Sequence, residues 1–560
     1  MSTRIVRSKH PDTKVPLNLY PHQREAVDEM TEFLVRDSWG CLIHDAGLGK
    51  TATILSIWAR MRADEPELRL VISCPACTLR AVWEEHIRVW LRTKRVSVLV
   101  IDKLKKLKDE DPREYDITII TRNLVAASYS KTWWWRDKSE VYYTSNGQRR
   151  ERGAFQQEGR DPSFLFKSGP RPVMLVIDES HYLRNYGPKK VSIQAHHEMA
   201  RHCDYGVLNT ATPVCNRPED VAGQLYSIAL DIGGGTDTLK AMAYPKQWKV
   251  GKYQINQVAV EAFKANCHRR TEDILSLPEL IIHPPRSYAI EGTLNLTRVR
   301  KYNEHLAEAR EVRAQMKSDG EVDLESLRRM MNALTRMGQM LIHPKLESKG
   351  AAGLTDAWCD YIKDGPSPML KECSKLVTEL QQAGHKKLVV FGMHSNSAMR
   401  LVLERLAIDC PGDYDMYHGG LSQDARASVV KRFLAPSERL QVLFIQMVAG
   451  GVGLNLVPGP TAAIFIQQSW NPMDHLQAYK RIHRIGQDKP VHIYNIVGEK
   501  SPDAAMREIH EDKLVASDAV IGKTNLGDKA WRIKGRAVDM CEPIKTYRKL
   551  TGEILEFTWE

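Results

Sequence analysis

Short apolar runs alternate with helix-favouring stretches in two separate blocks of the chain, and this alternation restricts the fold more than any other feature. In the first block the runs are Cys41–Ile43, Leu70–Ser73, Val96–Ile101, Ile117–Thr121, Val173–Ile177 and Gly206–Asn209. Helical stretches such as Thr51–Met61 and Arg80–Trp90 separate some of them. In the second block the runs are Leu388–Phe391, Tyr414–Tyr417, Val442–Gln446, Ala463–Gln467 and His492–Val497, interleaved with Ser374–Ala383 and Arg426–Phe433. Near-continuous apolar strands suit parallel sheets covered on both faces, whereas one-sided sheets alternate apolar and polar residues. The expected fold class is therefore α/β, with two parallel-sheet lobes and helical insertions between them.

The intervening region has a different character. Glu304–Lys317 and Leu324–Met340 are rich in Glu, Arg, Leu, Ala and Met, all good helix formers. The expected division is a first lobe over residues 1–225, a mainly helical linker or protrusion over 226–345, a second lobe over 346–515 and a C-terminal extension over 516–560. A chain of 560 residues is too long for a single core, which agrees with several domains. Lys131–Arg171, with Trp133, Trp134 and Trp135 set among many basic residues, reads as an insertion before the next core strand.

The strongest local signal is HDAGLGKT, His44–Thr51, which follows a strand and opens a helix. Glycines in such a loop let backbone N–H groups approach phosphate oxygens. Gly47 and Gly49 take that role here, Lys50 would reach the β- and γ-phosphates, and Thr51 would ligate Mg²⁺. His44 occupies the position where the strict pattern has its first glycine. The second signal is DESH, Asp178–His181, directly after the apolar strand Val173–Ile177. Acidic residues at the C-terminal end of a parallel strand face the crevice where ligands bind. Asp178 would hold Mg²⁺ and Glu179 would position the attacking water, so loop and carboxylates together form an NTP-hydrolysis set. Gln23, in YPHQ, carries an amide suited to adenine's edge. NTATP, Asn209–Pro213, ends a strand with hydroxyls placed to sense a γ-phosphate.

In the second block, MVAGGVGLNL places Gly450, Gly451 and Gly453 after a strand, and WNPMDHLQAYKRIHRIGQ follows. Gln477, Arg481 and Arg484 are spaced to share one helical face. Arginine at a lobe boundary stabilises charge on a phosphoryl group in transfer.

These segments, in order, resemble the Swi/Snf-like group of superfamily-two helicases over most of the chain. LYPHQ, HDAGLGKT and DESH are similar to the family's adenine-reading and two ATPase motifs, and ISCPACTLRAVWEEHIRVW to the motif lying between the ATPase pair. NTATPVCN resembles the third motif, and HRRTEDILSLP and MLIHPKL the linker-region motifs. KLVVFGMH, HGGLSQDARASVVKRF, AGGVGLNL and RIHRIGQ resemble those of the second lobe. The resemblance implies two RecA-like lobes that close on ATP and track along double-stranded DNA, mostly without separating its strands. It maps the arginine finger onto Arg484, with Arg481 as its γ-phosphate partner and Gln477 and Gly453 beside the nucleotide. His44 and Ala46 stand where the family's first motif has an acidic residue and Met, and Ala211 where the third has Gly.

The expected function is an ATP-dependent double-stranded DNA translocase that remodels protein–DNA complexes or branched DNA. An annealing or fork-reversing motor and an RNA-polymerase-displacing ATPase are close alternatives, and a non-hydrolysing DNA-binding scaffold is one of another class. A net charge of +11 suits an anionic partner. The N-terminus lacks an apolar signal core and the ten cysteines are scattered, so an intracellular protein is expected, cytoplasmic or nucleoid-associated, or in the host cytoplasm if viral; a monomer is expected as well. CPAC, Cys74–Cys77, has no second pair with which to build a zinc site. HEMARH, His197–His202, has its second histidine one residue too late for a zincin helix.

Overall fold

The computed structural model describes residues 19–91, 96–106, 110–130, 171–184, 191–213, 220–228, 264–271, 274–275, 277–289, 296–315, 324–342, 367–393, 402–403, 406–447, 454–469, 471–499, 501–504 and 506–507, with the backbone of strands 134–143 and 149–156. These fall into two compact units, one holding the described residues up to Ile274 and the other those from Leu275.

The first unit is built on a seven-stranded sheet. In chain order its strands are β1 (Trp39–His44), β2 (Arg69–Cys74), β3 (Val98–Ile101), β4 (Ile117–Thr121), β7 (Val173–Asp178), β8 (Tyr205–Thr210) and β9 (Cys267–Arg270). Their spatial order is β3-β4-β2-β7-β8-β1-β9, with every pairing parallel. β5 (Trp134–Tyr143) and β6 (Arg149–Gln156) form a separate antiparallel hairpin within the expected insertion, whose aromatic and basic side chains lie outside the described residues.

Strand side chains alternate between two cores. Cys41 and Ile43 of β1, Val71 of β2, and Leu175 and Ile177 of β7 join one, while Leu42, Leu70, Ile72, Met174 and Val176 join the other. Both faces are covered, which is why these strands read as unbroken apolar runs. Helix α1 (Pro21–Asp37) and helix α2 (Lys50–Asp64) cover one face through Ala26, Met30, Leu34, Ile54, Leu55 and Trp58.

The second unit carries β10 (Leu280–Ile282), β11 (Arg286–Tyr288), β12 (Lys387–Gly392), β13 (Asp413–Tyr417), β14 (Gln441–Gln446), β15 (Ala462–Phe465) and β16 (Val491–Gly498). The order is β10-β16-β15-β12-β14-β13, with β11 also on β16, and all pairings are again parallel. Val389 and Phe391 enter one core, and Leu388 and Val390 the other. The long helices Leu296–Gln315 and Leu324–Ile342 join the latter through Leu306, Ala309, Met330, Leu334 and Met337. The α/β class with two parallel-sheet lobes is thus what the chain adopts. In the first sheet a single strand, β8, separates the loop-bearing β1 from the acidic β7, which is the RecA-like arrangement.

The region expected to be mainly helical also contributes β9, β10 and β11, of three or four residues each, to the sheet edges. His268, Arg269 and Arg270 in β9 and Arg286 in β11 gave no apolar run to read. Among the described residues no helix is long and apolar enough to cross a membrane.

Candidate nucleotide site

β1 is buried along its whole length and ends at His44, after which the chain must turn sharply to start α2. Gly47 (φ 96°) and Gly49 (φ 78°) make that turn in left-handed conformations open to glycine. A Cβ at Gly49 would lie 2.2 Å from Gln23 Nε2, so any side chain there would push the Gln23 amide off its loop carbonyls. α1 braces the loop from outside. Gln23 Nε2 donates to the carbonyls of Leu48 (3.1 Å) and Gly49 (3.4 Å), His22 Nε2 donates to Leu48 O (3.1 Å), and Gln23 Oε1 accepts from the Tyr20 amide (3.0 Å).

Lys50 opens α2 and curls back, its Nζ donating to the carbonyls of His44 (2.7 Å) and Asp45 (3.2 Å). Behind the loop, His44 and His268 of β9 share a buried hydrogen bond of 2.9 Å. Burial, the neighbouring imidazole and the Lys50 charge hold His44 well below its usual range, and burial with Arg270 takes His268 down to about 4. Both rings are therefore neutral at pH 7.

Two strands away, β7 delivers Asp178 to the same edge of the sheet. Asp178 is buried and each of its oxygens is engaged. Oδ2 accepts from the Trp83 indole (2.8 Å), and Oδ1 accepts from Asn209 Nδ2 (2.6 Å) and the Glu179 amide (3.1 Å). Burial and the Glu179 charge push its carboxyl up to about 6, against the Trp83 and Asn209 hydrogen bonds and the Lys50 charge. The lysine's influence on the carboxylate places loop and DESH segment in one electrostatic neighbourhood. Glu179 adopts φ 50°, uncommon for a side chain with a Cβ. His181 Nδ1 lies 3.3 Å from Glu179 Oε2 and 2.9 Å from Thr210 Oγ1, and the Thr212 amide donates to that same hydroxyl (3.1 Å). Ser180 Oγ donates to Gln224 Oε1 (2.7 Å), and Gln224 Nε2 to Pro213 O (2.6 Å). The DESH and TATP segments are thus joined through the helix Asp220–Ser227.

In the second unit the helix Pro472–Tyr479 is capped by Asn471, whose side chain accepts from the Met473 amide (3.2 Å). Gln477 is buried on it. Arg481 and Arg484 do not continue that helix, so the expectation of one shared helical face is corrected. The helix stops at Tyr479, and the residues from Lys480 onward turn to bond the segment 454–460. Arg481 NH1 donates to Leu454 O (3.3 Å) and the Leu456 amide to Arg481 O (3.2 Å). Gln487 Nε2 donates to Ile482 O and Pro460 O, and Gly486 turns at φ 98°. Burial lowers the Arg484 guanidinium from its ordinary range. Gly453 lies outside the described residues.

A model of the SNF2-related domain matches residues 22–346, more than half of the chain, and a model of the helicase conserved C-terminal domain matches residues 371–486. The chain belongs to the SNF2-related family. Members of this family are DNA-dependent ATPases of helicase superfamily two, and this SNF2-related chain carries both halves of their ATPase core. It is similar to the human "SWI/SNF-related matrix-associated actin-dependent regulator of chromatin subfamily A member 1", 23% identical over 502 residues (88% of this chain, 42% of that protein). It is also similar to the Caenorhabditis elegans "Chromodomain-helicase-DNA-binding protein 3 homolog" (24%; 91% of this chain, 27% of that protein). A third relative is the Gallus gallus "DNA repair and recombination protein RAD54B" (22%; 92% and 56%). The SNF2-related chain therefore spans between about a quarter and just over half the length of these relatives. Among solved structures, the "Sulfolobus solfataricus SWI2/SNF2 ATPase core in complex with dsDNA" is similar over 93% of this chain and 97% of that one, at 18% identity and a TM-score of 0.38.

Of the expected site residues, Gln23, Gly47, Gly49, Lys50, Thr51, Asp178 and Glu179 lie in the first SNF2-related unit, and Gln477, Arg481 and Arg484 in the second. Sequence reasoning singled out neither Trp83 nor the Asn209 amide as donors to Asp178. The tryptophan sits inside the segment ISCPACTLRAVWEEHIRVW, but a separation of 95 positions from Asp178 hides the contact. Cys74 is buried at the end of β2, and His197 stacks on Tyr226 at 4.0 Å. Among the described residues no cluster of His, Cys, Asp and Glu could hold a metal ion by itself.

Proposed function

We propose that the chain is an ATP-dependent double-stranded DNA translocase that remodels protein–DNA complexes or branched DNA. The observation carrying this reading is the convergence of the Lys50 loop and the Asp178–Glu179 pair on one edge of the first sheet, in a chain that holds both halves of the SNF2-related core. The loop suits phosphate. Its glycines carry no side chain to block approach to the backbone N–H groups, and Lys50 rests on carbonyls that a phosphate would replace as its partner.

Mg²⁺ fits the chemistry of Asp178 and Thr51. A buried carboxyl raised to about 6 by its own desolvation and the Glu179 charge is stabilised in its ionised form by a cation. When bound, Mg²⁺ would neutralise charge on the phosphate oxygens. The residues of the chain do the rest. Lys50 draws the β- and γ-phosphates onto the N-terminus of α2. Glu179, beside His181, orients the attacking water and takes up its proton. Gln23 holds the loop's shape, and its amide would have to turn from Leu48 and Gly49 to read adenine. Arg484, with Arg481, would supply charge to the phosphoryl group in transfer, and Gln477 beside them would offer a neutral hydrogen bond. The His181–Thr210–Thr212 chain would report phosphate loss to the end of β8.

Contacts to DNA would go mainly to phosphates, so binding should weaken steeply with salt and depend little on sequence. ATP turnover measured with duplex, single-stranded and forked DNA tests the reading, alongside displacement of a DNA-bound protein without strand separation. Turnover that duplex DNA leaves unchanged, or a Lys50→Ala variant with full turnover, would refute it. Tight DNA binding without any hydrolysis would point instead to a scaffold.

A further inference from the structure

Trp83 is buried to 1% exposure, yet its indole N–H does not end in the core. It donates to Asp178 Oδ2 at 2.8 Å, while Asn209 Nδ2 holds Oδ1 from β8 at 2.6 Å. Two rigid donors from two different elements therefore fix the plane of this carboxylate, with one oxygen assigned to each. Trp83 lies in a π-helical turn, Leu79–Glu84, which passes into the helix Glu85–Trp90. In this wider turn the Trp83 and Val82 amides both reach the Thr78 carbonyl at 3.0 Å. The extra residue per turn sets where the indole points, and rewinding to a regular helix would rotate it away from Asp178. π-turns of this kind are uncommon and cluster at functional sites. The turn is fixed at its base by Thr78 Oγ1 donating to Pro75 O (3.0 Å), and at its side by Arg80 paired with Asp102 (2.7 Å) and Glu84 (3.0 Å).

We infer that Trp83 is a positioning residue for the Asp178 carboxylate, and that the Leu79–Glu84 π-turn sets the divalent-ion affinity of the site through this one hydrogen bond. The inference rests on the reading of Asp178 as the Mg²⁺-binding group. Partners that orient a metal-binding group from behind change metal affinity by about 10–100-fold when removed. An N–H donor also favours the ionised carboxylate, the form that binds a cation.

The test uses the full-length protein with Mn²⁺ and ADP as probes, followed by electron paramagnetic resonance, next to ADP binding measured in EDTA. Trp83→Phe keeps an aromatic ring in the core but loses the donor with the pyrrole half of the indole. The expected result is a rise of about 10-fold or more in the Mn²⁺ dissociation constant, with metal-free ADP binding unchanged. A merely structural role would weaken both together, and an unchanged Mn²⁺ constant would remove the role altogether; either result overturns the inference. A second measurement needs no change at Trp83. In protein labelled with ¹⁵N at the indoles, one resonance should shift on Asp178→Asn, and Mn²⁺ with ADP should broaden that same resonance in the unaltered chain. Indole resonances that ignore both would refute the contact. If the metal reading itself is wrong, Asp178→Asn leaves Mn²⁺ affinity intact. If only the present inference is wrong, Asp178→Asn abolishes that affinity while Trp83→Phe does not.

Discussion

Replacing Gly223 by alanine should damage the first lobe and its acidic segment together. The helix Asp220–Ser227 crosses directly over the turn Ser180–Leu183 that follows Glu179. A Cβ at position 223 would lie 2.3 Å from the Leu183 carbonyl oxygen and 2.6 Å from that of Arg184. Both are backbone atoms and cannot swing aside as a side-chain end would. Comfortable non-bonded contact needs roughly an ångström more, so the helix must lift by about that much. Overpacking of this kind costs about 1–3 kcal/mol. For a lobe of this size that is a fall of roughly 2–10 °C in midpoint. Lifting the helix also pulls Gln224 from Ser180 and Pro213, which loosens the link between the DESH and TATP segments, so turnover should fall beyond what unfolding explains. Thermal unfolding followed by circular dichroism, with ATP turnover measured well below the transition, checks both parts. Gly338→Ala is the matched control. That glycine lies inside the helix Leu324–Ile342 with nothing within 4 Å of its would-be Cβ, so alanine there should stabilise by about 0.5–1 kcal/mol. A Gly223→Ala protein that melts within about a degree of the parent, with full turnover, would refute the close-approach argument.

Asp503→Asn should flatten the pH dependence of stability. Burial raises the Asp503 carboxyl from 3.8 to about 7, against a weaker hydrogen bond from the Gln468 amide. A raised folded value means that stability is fully present below pH 4 and lost as pH climbs through 7, by on the order of 4 kcal/mol in all. Asn keeps the acceptor without the charge, so its advantage in chemical denaturation should grow by on the order of 3 kcal/mol between pH 5 and pH 8, and parallel curves would contradict this. Arg484→Ala should lower duplex-stimulated turnover by roughly 10³–10⁵ while leaving ATP binding within a few-fold. A modest loss would remove the arginine-finger assignment.

How much the sequence revealed depended on what each element had to bury. β2 (Arg69–Cys74) and β7 (Val173–Asp178) are buried at every position, so their runs stood out and were placed to within a residue or so. β9, β10 and β11 are short edge strands held by backbone pairing, and Cys267–Arg270 has no apolar period to detect. The stretch Arg80–Trp90 reads as a plain helix, and only the geometry shows that it opens as a π-turn. The spacing of Gln477, Arg481 and Arg484 fits a helix, yet bonding to Leu454 and Leu456 ended that helix at Tyr479. Lys50, Asp178 and Glu179 were legible as candidates because phosphate chemistry demands a local pattern. The donors to Asp178 were not, because they arrive from other strands and turns.

The pairing of β9 with β1 also bears on the order in which the chain can finish folding. The strand that leads into the glycine loop at 45–49 takes its outer neighbour from residues 267–270, synthesised more than two hundred residues after it. Until those residues leave the ribosome, β1 presents an open edge, the kind of surface that recruits other strands and aggregates. The first lobe is therefore not a simple N-terminal piece. A fragment cut just after helix Asp220–Ser227 would contain the loop, Asp178 and Glu179, and still lack the strand that closes the sheet beside them.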